Sequence, residues 1–564
     1  MPGKESFDEV FADNLSCCSD MDVLELKYLD DDDDDLSDNN DFSDNKVFPV
    51  GSEWSEVDRT PVLEDFLGHP GVKVMPNNPE SVSDCVELFI GDDLFQMMVE
   101  ETNRYHAQNI HKFKQSKKSL KWRDVNIIEL KKMLGLILIM GHVRKDDRYE
   151  YWSTDALVET PIFSKVLSRD RFNQIWQSWH FSKNEELNQH SDRLFKIQPI
   201  LDYTIPKFNN VYGALRELSL YEGMIPWRGR LSFEVHNSLK IIKYGILVRI
   251  VCEASTGYIC NLEMYHARGN KLLETLDTVL KPYSNKNHHV YMDNYYNSVE
   301  TSEILLKNKI RTCGTIRINR GVPESLGQTK LKVGQTAYRR KGDTLIQKWM
   351  STKEIRLISN IHSAKMLVSN NIDWRTRQNI IQPEMVIEYN KYMKGVDRAD
   401  QHLSNYPILK KTKKWTKRAA IYLLNCALFN SFRVYKTLNK NKIGYKKYLL
   451  LVAKKWISDE TTQSDTAVPG PSTVLQRTTM TNWDQPGRLS MDLRKHQLEN
   501  IPRTEKTQCP QRQCRVCTAN KIKSKTRHMC KFCKVPLHRD NCFYIYHTRT
   551  HLNNTLKKNK NNHI

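Results

Sequence analysis

A chain of 564 residues is long for one hydrophobic core and divides into about three or four folding units. Its 39% hydrophobic content suits a globular body, and its longest apolar run, Met133–Met140, is far below the about 20 residues of a membrane span, which excludes a membrane helix. The formal charge is +20 but uneven: residues 1–60 hold 19 Asp and Glu against 4 Lys and Arg, a net of −15, so the other 504 residues carry +35. A body that basic implies a polyanionic partner, and nucleic acid is the usual one. Met1–Asp20 is polar and acidic, unlike a secretory signal. Six of the 13 cysteines fall between Cys509 and Cys542 and the other seven show no pairing pattern, which points to reduced thiols and a metal site rather than a disulfide frame.

In chain order, residues 1–60 form an acidic tail with the unbroken run Asp30–Asp35, too poor in apolar groups to offset chain entropy and expected to be disordered. It serves solubility or competes with DNA for the basic body. Residues 61–215 are helical. Phe172, Ile175, Trp176 and Trp179 fall at i, i+3, i+4 and i+7, a core stripe, and Asn126 with Glu129 resembles a capping box ahead of Leu130–Met140.

Residues 216–317 change to an α/β texture. Ile241–Val251 and Tyr258–Met264 read as strands around the turn Ser255-Thr256-Gly257, and Leu272, Leu276, Val279 and Leu280 mark a helix. His289–Met292 is a short strand ending in Asp293, followed by a helix near 299–308 and a strand near Arg311–Arg317. Three strands, helix, strand, helix, strand make a mixed sheet. Residues 318–385 read as a β-rich insertion with segments such as Thr344–Trp349 and Ile355–Ser359; 386–403 return to helix. In 404–457, Trp415, Ala419, Tyr422, Cys426 and Phe429 form another stripe. Residues 458–508, with Pro469-Gly470-Pro471, read as a linker before the cysteine-rich residues 509–551. There are no internal repeats.

Asp293 stands at the carboxyl end of a strand, where functional groups leave the core of an open sheet; alone it matches an ordinary turn aspartate. Asp397 and Asp400, three apart in Lys-Gly-Val-Asp-Arg-Ala-Asp-Gln, share one helix face, as surface ion-pair residues also do. Together the three suggest a two-metal phosphoryl-transfer site, whose carboxylates hold two Mg²⁺ about 4 Å apart. Cys514, Cys517, Cys530, Cys533, His538, Cys542 and His547 form a ligand ladder for structural Zn²⁺. A cross-braced pair of zinc sites needs an eighth ligand, for which Cys509, His528 and His551 are candidates. Lys410, Lys411, Lys413, Lys414, Lys417 and Arg418 cluster around Trp415, to track DNA phosphates or to serve nuclear import.

The segments Trp54–Gly68, Ser219–Arg230, Lys243–Ile246, Tyr291–Ser298, Cys313–Thr315 and Lys394–Gln401 together resemble, in order, the motifs of piggyBac transposases. The resemblance spans about Trp54 to the C-terminus. It implies a nuclear, cut-and-paste DNA transposase acting at TTAA targets through hairpin ends, with an RNase H-like core interrupted by a β-rich insertion. It implies a helical DNA-binding and dimerisation domain split between residues 61–215 and 404–457, a homodimer, and a C-terminal zinc module on terminal-repeat DNA. The family's second and third catalytic aspartates match Asp293 and Asp397, the ligands of Mg²⁺ or Mn²⁺, and its additional active-site aspartate matches Asp400. Its first falls on Tyr221. A neutral phenol, pKa about 10, is a poor Mg²⁺ ligand, and Glu222 points to the opposite face of a strand. The expectation is a transposase-derived DNA-binding protein with impaired strand cleavage. The alternatives are an active transposase and a zinc-module chromatin or protein-interaction factor.

Overall fold

The computed structural model describes residues 54–112, 121–186, 192–229, 231–236, 244–266, 272–372, 377–405, 412, 414–439, 443–458, 496–503, 507–549 and 552. The chain divides into two compact units, residues 1–462 and 463–564.

The larger unit begins with helices α1 (Val82–Glu87), α2 (Asp92–Gln108), α3 (Ile127–His142), α4 (Pro161–Val166), α5 (Arg169–Ser178) and α6 (Gln198–Val211). The stripe of α5 is buried as its spacing requires: Phe172, Ile175, Trp176 and Trp179 are each at most 7% exposed. Half of the capping box forms. Asn126 Oδ1 accepts from Glu129 N at 2.9 Å, but the Glu129 carboxylate instead takes Arg171, 2.6 Å away. Helices α11 (Trp415–Leu438) and α12 (Tyr445–Ser458) close the same body, α12 along α3 and α11 along α1, so two stretches distant in sequence share one apolar core.

Between these helical stretches lies a nine-stranded sheet. Its core strands are β1 (Glu217–Pro226), β2 (Tyr244–Glu253), β3 (Ile259–Met264), β4 (His288–Met292) and β5 (Ile310–Thr315), with α7 (Leu272–Leu280) and α8 (Val299–Lys307) as crossovers. They lie in the order β3-β2-β1-β4-β5; β1, β4 and β5 are parallel, β2 and β3 antiparallel. This is the order of elements that the hydrophobic pattern predicts. Three strands of the β-rich region continue the same sheet, β8 (Glu354–Ser359) pairing with β5, then β7 (Thr344–Met350) and β6 (Thr336–Lys341). β9 (Met366–Ile372) and β10 (Asn379–Pro383) form a separate hairpin, and α9 (Glu384–Met393) and α10 (Gly395–Asn405) return over the sheet.

The stretch expected to be disordered is ordered at its C-terminal end. Residues 1–53 lie outside the described residues, but 54–60 are seated on the sheet. Ser55 pairs with Arg340 of β6, and the Asp58 carboxylate accepts from Arg340 Nε at 3.0 Å and from Ala364 N at 2.8 Å. Arg340 is 3% exposed, and a guanidinium so buried requires a carboxylate. Further along the strap, Arg311 donates to Val62 O at 2.7 Å and Asn287 to Asp65 O at 2.6 Å.

The smaller unit contains β11 (Leu498–Asn500), β12 (Arg512–Gln513), α13 (Arg515–Ala519), β13 (Lys525–Thr526), β14 (His528–Cys530) and α14 (Asn541–Thr548). β11 pairs with β14, so this unit begins ahead of Cys509, inside the stretch whose composition reads as linker.

Candidate functional site

Tyr221 and Asp293 are related through sheet register. The parallel pairing of β1 and β4 runs to Leu220 opposite Met292, and Tyr221 and Asp293 are the next residues of the two chains after that last pair. Ser219, two before Tyr221 and on the same face, packs under α10: a Cβ on Gly395 would stand 2.4 Å from Ser219 Oγ. That face therefore looks toward the helix that carries Asp397 and Asp400. The side chains of those two aspartates lie outside the described residues.

The helix itself is held closely. Gly257, at φ +75° in the turn between β2 and β3, admits no side chain, since a Cβ would meet Gly395 O at 2.9 Å. Arg398, between the two aspartates, donates to Ala254 O at 2.9 Å. Beneath this turn the fully buried Glu253 accepts from Thr256 Oγ1 at 2.6 Å and Leu215 N at 2.8 Å.

Asp293 is 8% exposed, and its Oδ1 accepts from Tyr295 N at 3.0 Å. Glu222 turns to the other face of the sheet, where its carboxylate accepts from the buried Tyr296 hydroxyl at 3.3 Å. Burial, with the charges of Glu222 and Asp293 behind it, holds that phenol well above its ordinary pKa, so it remains a donor.

The basic run separates into unlike parts. Lys410, Lys411 and Lys413 lie outside the described residues. Lys414 is exposed over the Tyr105 ring, 4.8 Å from its centroid. Lys417 departs from the expected DNA contact. It is 2% exposed, donates to Trp176 O and to Gln177 O at 3.3 Å, and is pushed down to about 6 by burial. Its place on the inward face of α11 explains this. Arg418 donates to Pro226 O and ties α11 to the end of β1.

The cysteine-rich unit brings all seven predicted ligands into two clusters and supplies an eighth. Cys514, Cys517, His538 and Cys542 form one; His496, Cys530, Cys533 and His547 form the other, with the ligand atoms of each within 4.8 Å of one another. Cys517 Sγ lies 3.5 Å from His538 Nδ1 and 3.8 Å from Cys542 Sγ; Cys533 Sγ lies 3.4 Å from His496 Nδ1 and 3.6 Å from His547 Nε2. Zn–S bonds of about 2.3 Å and Zn–N bonds of about 2.0 Å in a tetrahedron give edges of about this length. The other ring nitrogens are engaged, as in metal-bound histidines: His547 Nδ1 lies 2.8 Å from Phe543 O and His538 Nε2 3.1 Å from Lys525 O. A hydrogen bond from Cys542 lowers the Cys514 thiol below its ordinary pKa, and one from Cys533 lowers Cys530.

His496 is the residue that sequence reasoning missed. Cys509 is exposed, neither it nor His528 joins a cluster, and His551 lies outside the described residues. The signal lies upstream, in a histidine 34 residues before Cys530, where the pairing of Leu498 with Cys530 carries it to the second cluster.

A mixed sheet with an aspartate at a parallel strand end, a helical body built from both flanks and a paired Cys/His unit define the class: a multidomain α/β protein with a separate cysteine-rich unit. Comparison gives the family. The family model described as Transposase IS4 matches residues 82–432. The chain is 23% identical over 528 residues to the human PiggyBac transposable element-derived protein 3, covering 89% of this chain and 82% of the relative. To the human PiggyBac transposable element-derived protein 2 it is 24% identical over 449 residues, 73% of this chain and 72% of the relative. The cryo-EM structure of a piggyBac transposase synaptic complex with hairpin DNA shares the fold, with a TM-score of 0.61 at 23% identity, covering 82% of this chain and 99% of that one. The chain belongs to the piggyBac-type transposase family. Among the described residues no helix is long and apolar enough to cross a membrane.

Proposed function

We propose that this chain is a nuclear, transposase-derived protein that binds transposon-end DNA as a homodimer and in which DNA strand cleavage is impaired. The observation that supports the reading is that Tyr221 and Asp293 each follow the last paired residues of β1 and β4, Leu220 and Met292, with the Ser219 face of β1 turned toward α10. In an RNase H-like core that position calls for a carboxylate. A phenol there cannot share a Mg²⁺ or Mn²⁺ with Asp293 and Asp397 as a carboxylate does, and Glu222 is held on the other face by Tyr296. Asp293, Asp397 and Asp400 remain as carboxylates for the metal, which when bound would polarise a phosphoryl oxygen and orient the attacking group. The chain's own part is to fix Asp293 at the strand end and α10 against the sheet.

DNA binding draws on the charge of the body, on Lys414, and on Lys410, Lys411 and Lys413. Zn²⁺ fits both Cys/His clusters and would be structural, since each cluster offers four protein ligands and leaves no open position. The complete set of eight also favours a second reading, in which the Cys/His unit recruits a chromatin or other protein partner.

The test is cleavage of a labelled duplex carrying matched transposon ends flanked by TTAA, with Mg²⁺ or Mn²⁺, for the native chain and Tyr221→Asp. Cleavage by Tyr221→Asp alone supports the reading. Equal cleavage by the native chain makes it a working transposase. No DNA binding by either, with a protein captured through the Cys/His unit, favours the second reading.

A further inference from the structure

In sequence, Tyr-Met-Asp-Asn-Tyr-Tyr-Asn-Ser (291–298) and Cys-Gly-Thr (313–315) are separate motifs; in the fold they meet at one buried amide. β4 ends at Met292 and its parallel neighbour β5 at Thr315. Asn297, fully buried in the turn after Asp293, folds its side chain back onto both strand ends. Its Nδ2 lies 2.8 Å from Met292 O, 3.1 Å from Asp293 O and 3.0 Å from Thr315 O. Its main-chain N–H also donates to Asp293 O, at 3.2 Å. An NH₂ group has two hydrogens, so one is shared between two carbonyls. The amide has a single orientation, because turning it round would press Oδ1 against three carbonyl oxygens.

Two features set this apart from ordinary packing. Asn297 Oδ1 is buried with no partner among the described residues, a burden an apolar side chain would not carry. The space for the amide is made by Gly314, where a Cβ would stand 1.8 Å from Met292 O and 2.5 Å from Asn297 Nδ2. With Tyr295 N donating to Asp293 Oδ1, both the backbone and one carboxylate oxygen of Asp293 are fixed.

We infer that Asn297 is the positioning residue of Asp293: it bolts the end of β4 to the end of β5 and so sets where the carboxylate leaves the sheet. The inference rests on the reading of Asp293 as a metal-binding carboxylate. Asn360 is the control. It too is fully buried, accepting from Thr312 N at 2.6 Å and donating to Ser302 Oγ at 3.2 Å, but it ties the middle of β5 and not its end.

The experiment introduces Asn297→Ala and Asn360→Ala into the full chain, native and Tyr221→Asp, with the Cys/His clusters kept zinc-loaded. It measures Tm, cleavage against Mg²⁺ concentration, and Mn²⁺ affinity by electron paramagnetic resonance. Both substitutions should lower Tm. In the Tyr221→Asp chain, Asn297→Ala should slow cleavage about 10–100-fold and raise the Mg²⁺ needed for half-maximal rate, while Asn360→Ala stays within about twofold. If Tyr221→Asp does not cut, the proposed function fails on its own, and the native chain's Mn²⁺ affinity decides this inference: Asn297→Ala should weaken it about tenfold or more and Asn360→Ala should not. Equal effects of the two substitutions, no effect of Asn297→Ala, or no Mn²⁺ bound by the native chain would each overturn it.

Discussion

The strand-end site and the Cys/His unit gather distant residues in opposite ways. At the strand-end site the scaffold does not depend on the functional side chains: the pairing of β1 with β4 runs to Leu220 and Met292, just before Tyr221 and Asp293, and glycines 257 and 395 seat α10, whatever stands at position 221. In the Cys/His unit the candidate ligands are themselves much of the core, with Cys514, Cys517, Cys530, Cys533 and Cys542 making up five of the eleven buried residues of its apolar cluster. The first kind of site can lose its chemistry and keep its fold; the second cannot.

Metal removal sharpens this contrast most. Structural zinc contributes about 10–16 kcal/mol to a small domain, so chelation, or Cys530→Ser, should unfold residues 496–552 and leave the transition of residues 54–458 in place. Calorimetry with metal analysis checks it; a single merged transition that falls on chelation breaks the comparison. Next in size is the strap. Asp58→Ala leaves the buried Arg340 without its carboxylate and should cost the larger unit about 3–5 kcal/mol in urea unfolding. A cost below about 1 kcal/mol would mean that the carbonyls of Asp343 and His362, also bonded to Arg340, suffice alone. Tyr221→Asp should change Tm by only a few degrees, because the side chain is half-buried on a register fixed by its neighbours, yet raise cleavage a hundredfold or more, about 2.7 kcal/mol of transition-state stabilisation.

A smaller effect tests the body alone. Burial pushes His289 down to about 3, and His288 and His362 to about 4, from an ordinary 6.5. The folded chain therefore binds fewer protons than the unfolded one between those values, and stability is lost as pH falls from about 6.5 toward 4. His289→Gln should flatten the slope of the larger unit's stability by up to about 1.4 kcal/mol per pH unit over that window. An unchanged slope would show that His289 is charged or solvated in the fold.

What the sequence made legible follows the same division. Periodicity located β4 and β5 within a residue or two, and the core stripes of α5 and α11 but not the ends of those helices, because a buried face leaves a repeat of 2 or 3.6. The Cys-x₂-Cys spacings pointed to seven of the eight residues of the two Cys/His clusters, because ligands of one tetrahedral site tend to lie close along the chain. His496 escaped because its spacing to Cys530 is set by a strand pairing, β11 with β14, and linker composition surrounds it. The seating of residues 54–60 escaped because acidic composition says nothing of a buried arginine waiting elsewhere. Asn297 was in view within a motif, but its three carbonyl partners come from the ends of two strands, which no local pattern joins.

Lys417 is the finest test of the same lesson, since a run of six basic residues reads as one surface and the helix divides it. Position 417 falls on the inward face of α11, where the side-chain nitrogen rests on two carbonyls of the α5 terminus and 4.9 Å from the Trp176 ring centroid. Its pKa, lowered by burial from 10.5 to about 6, means the folded chain holds fewer protons between those values, so stability is lost as pH falls from about 10.5 toward 6. Lys417→Met, similar in volume and free of that penalty, should remove this slope, leave stability at pH 7 unchanged or higher, and leave DNA affinity within about twofold. Lys414→Ala, at an exposed position one turn earlier, should instead weaken DNA binding across sequences and reduce the salt slope by about 1. Equal losses of affinity and salt slope in the two variants would return Lys417 to the DNA-binding surface.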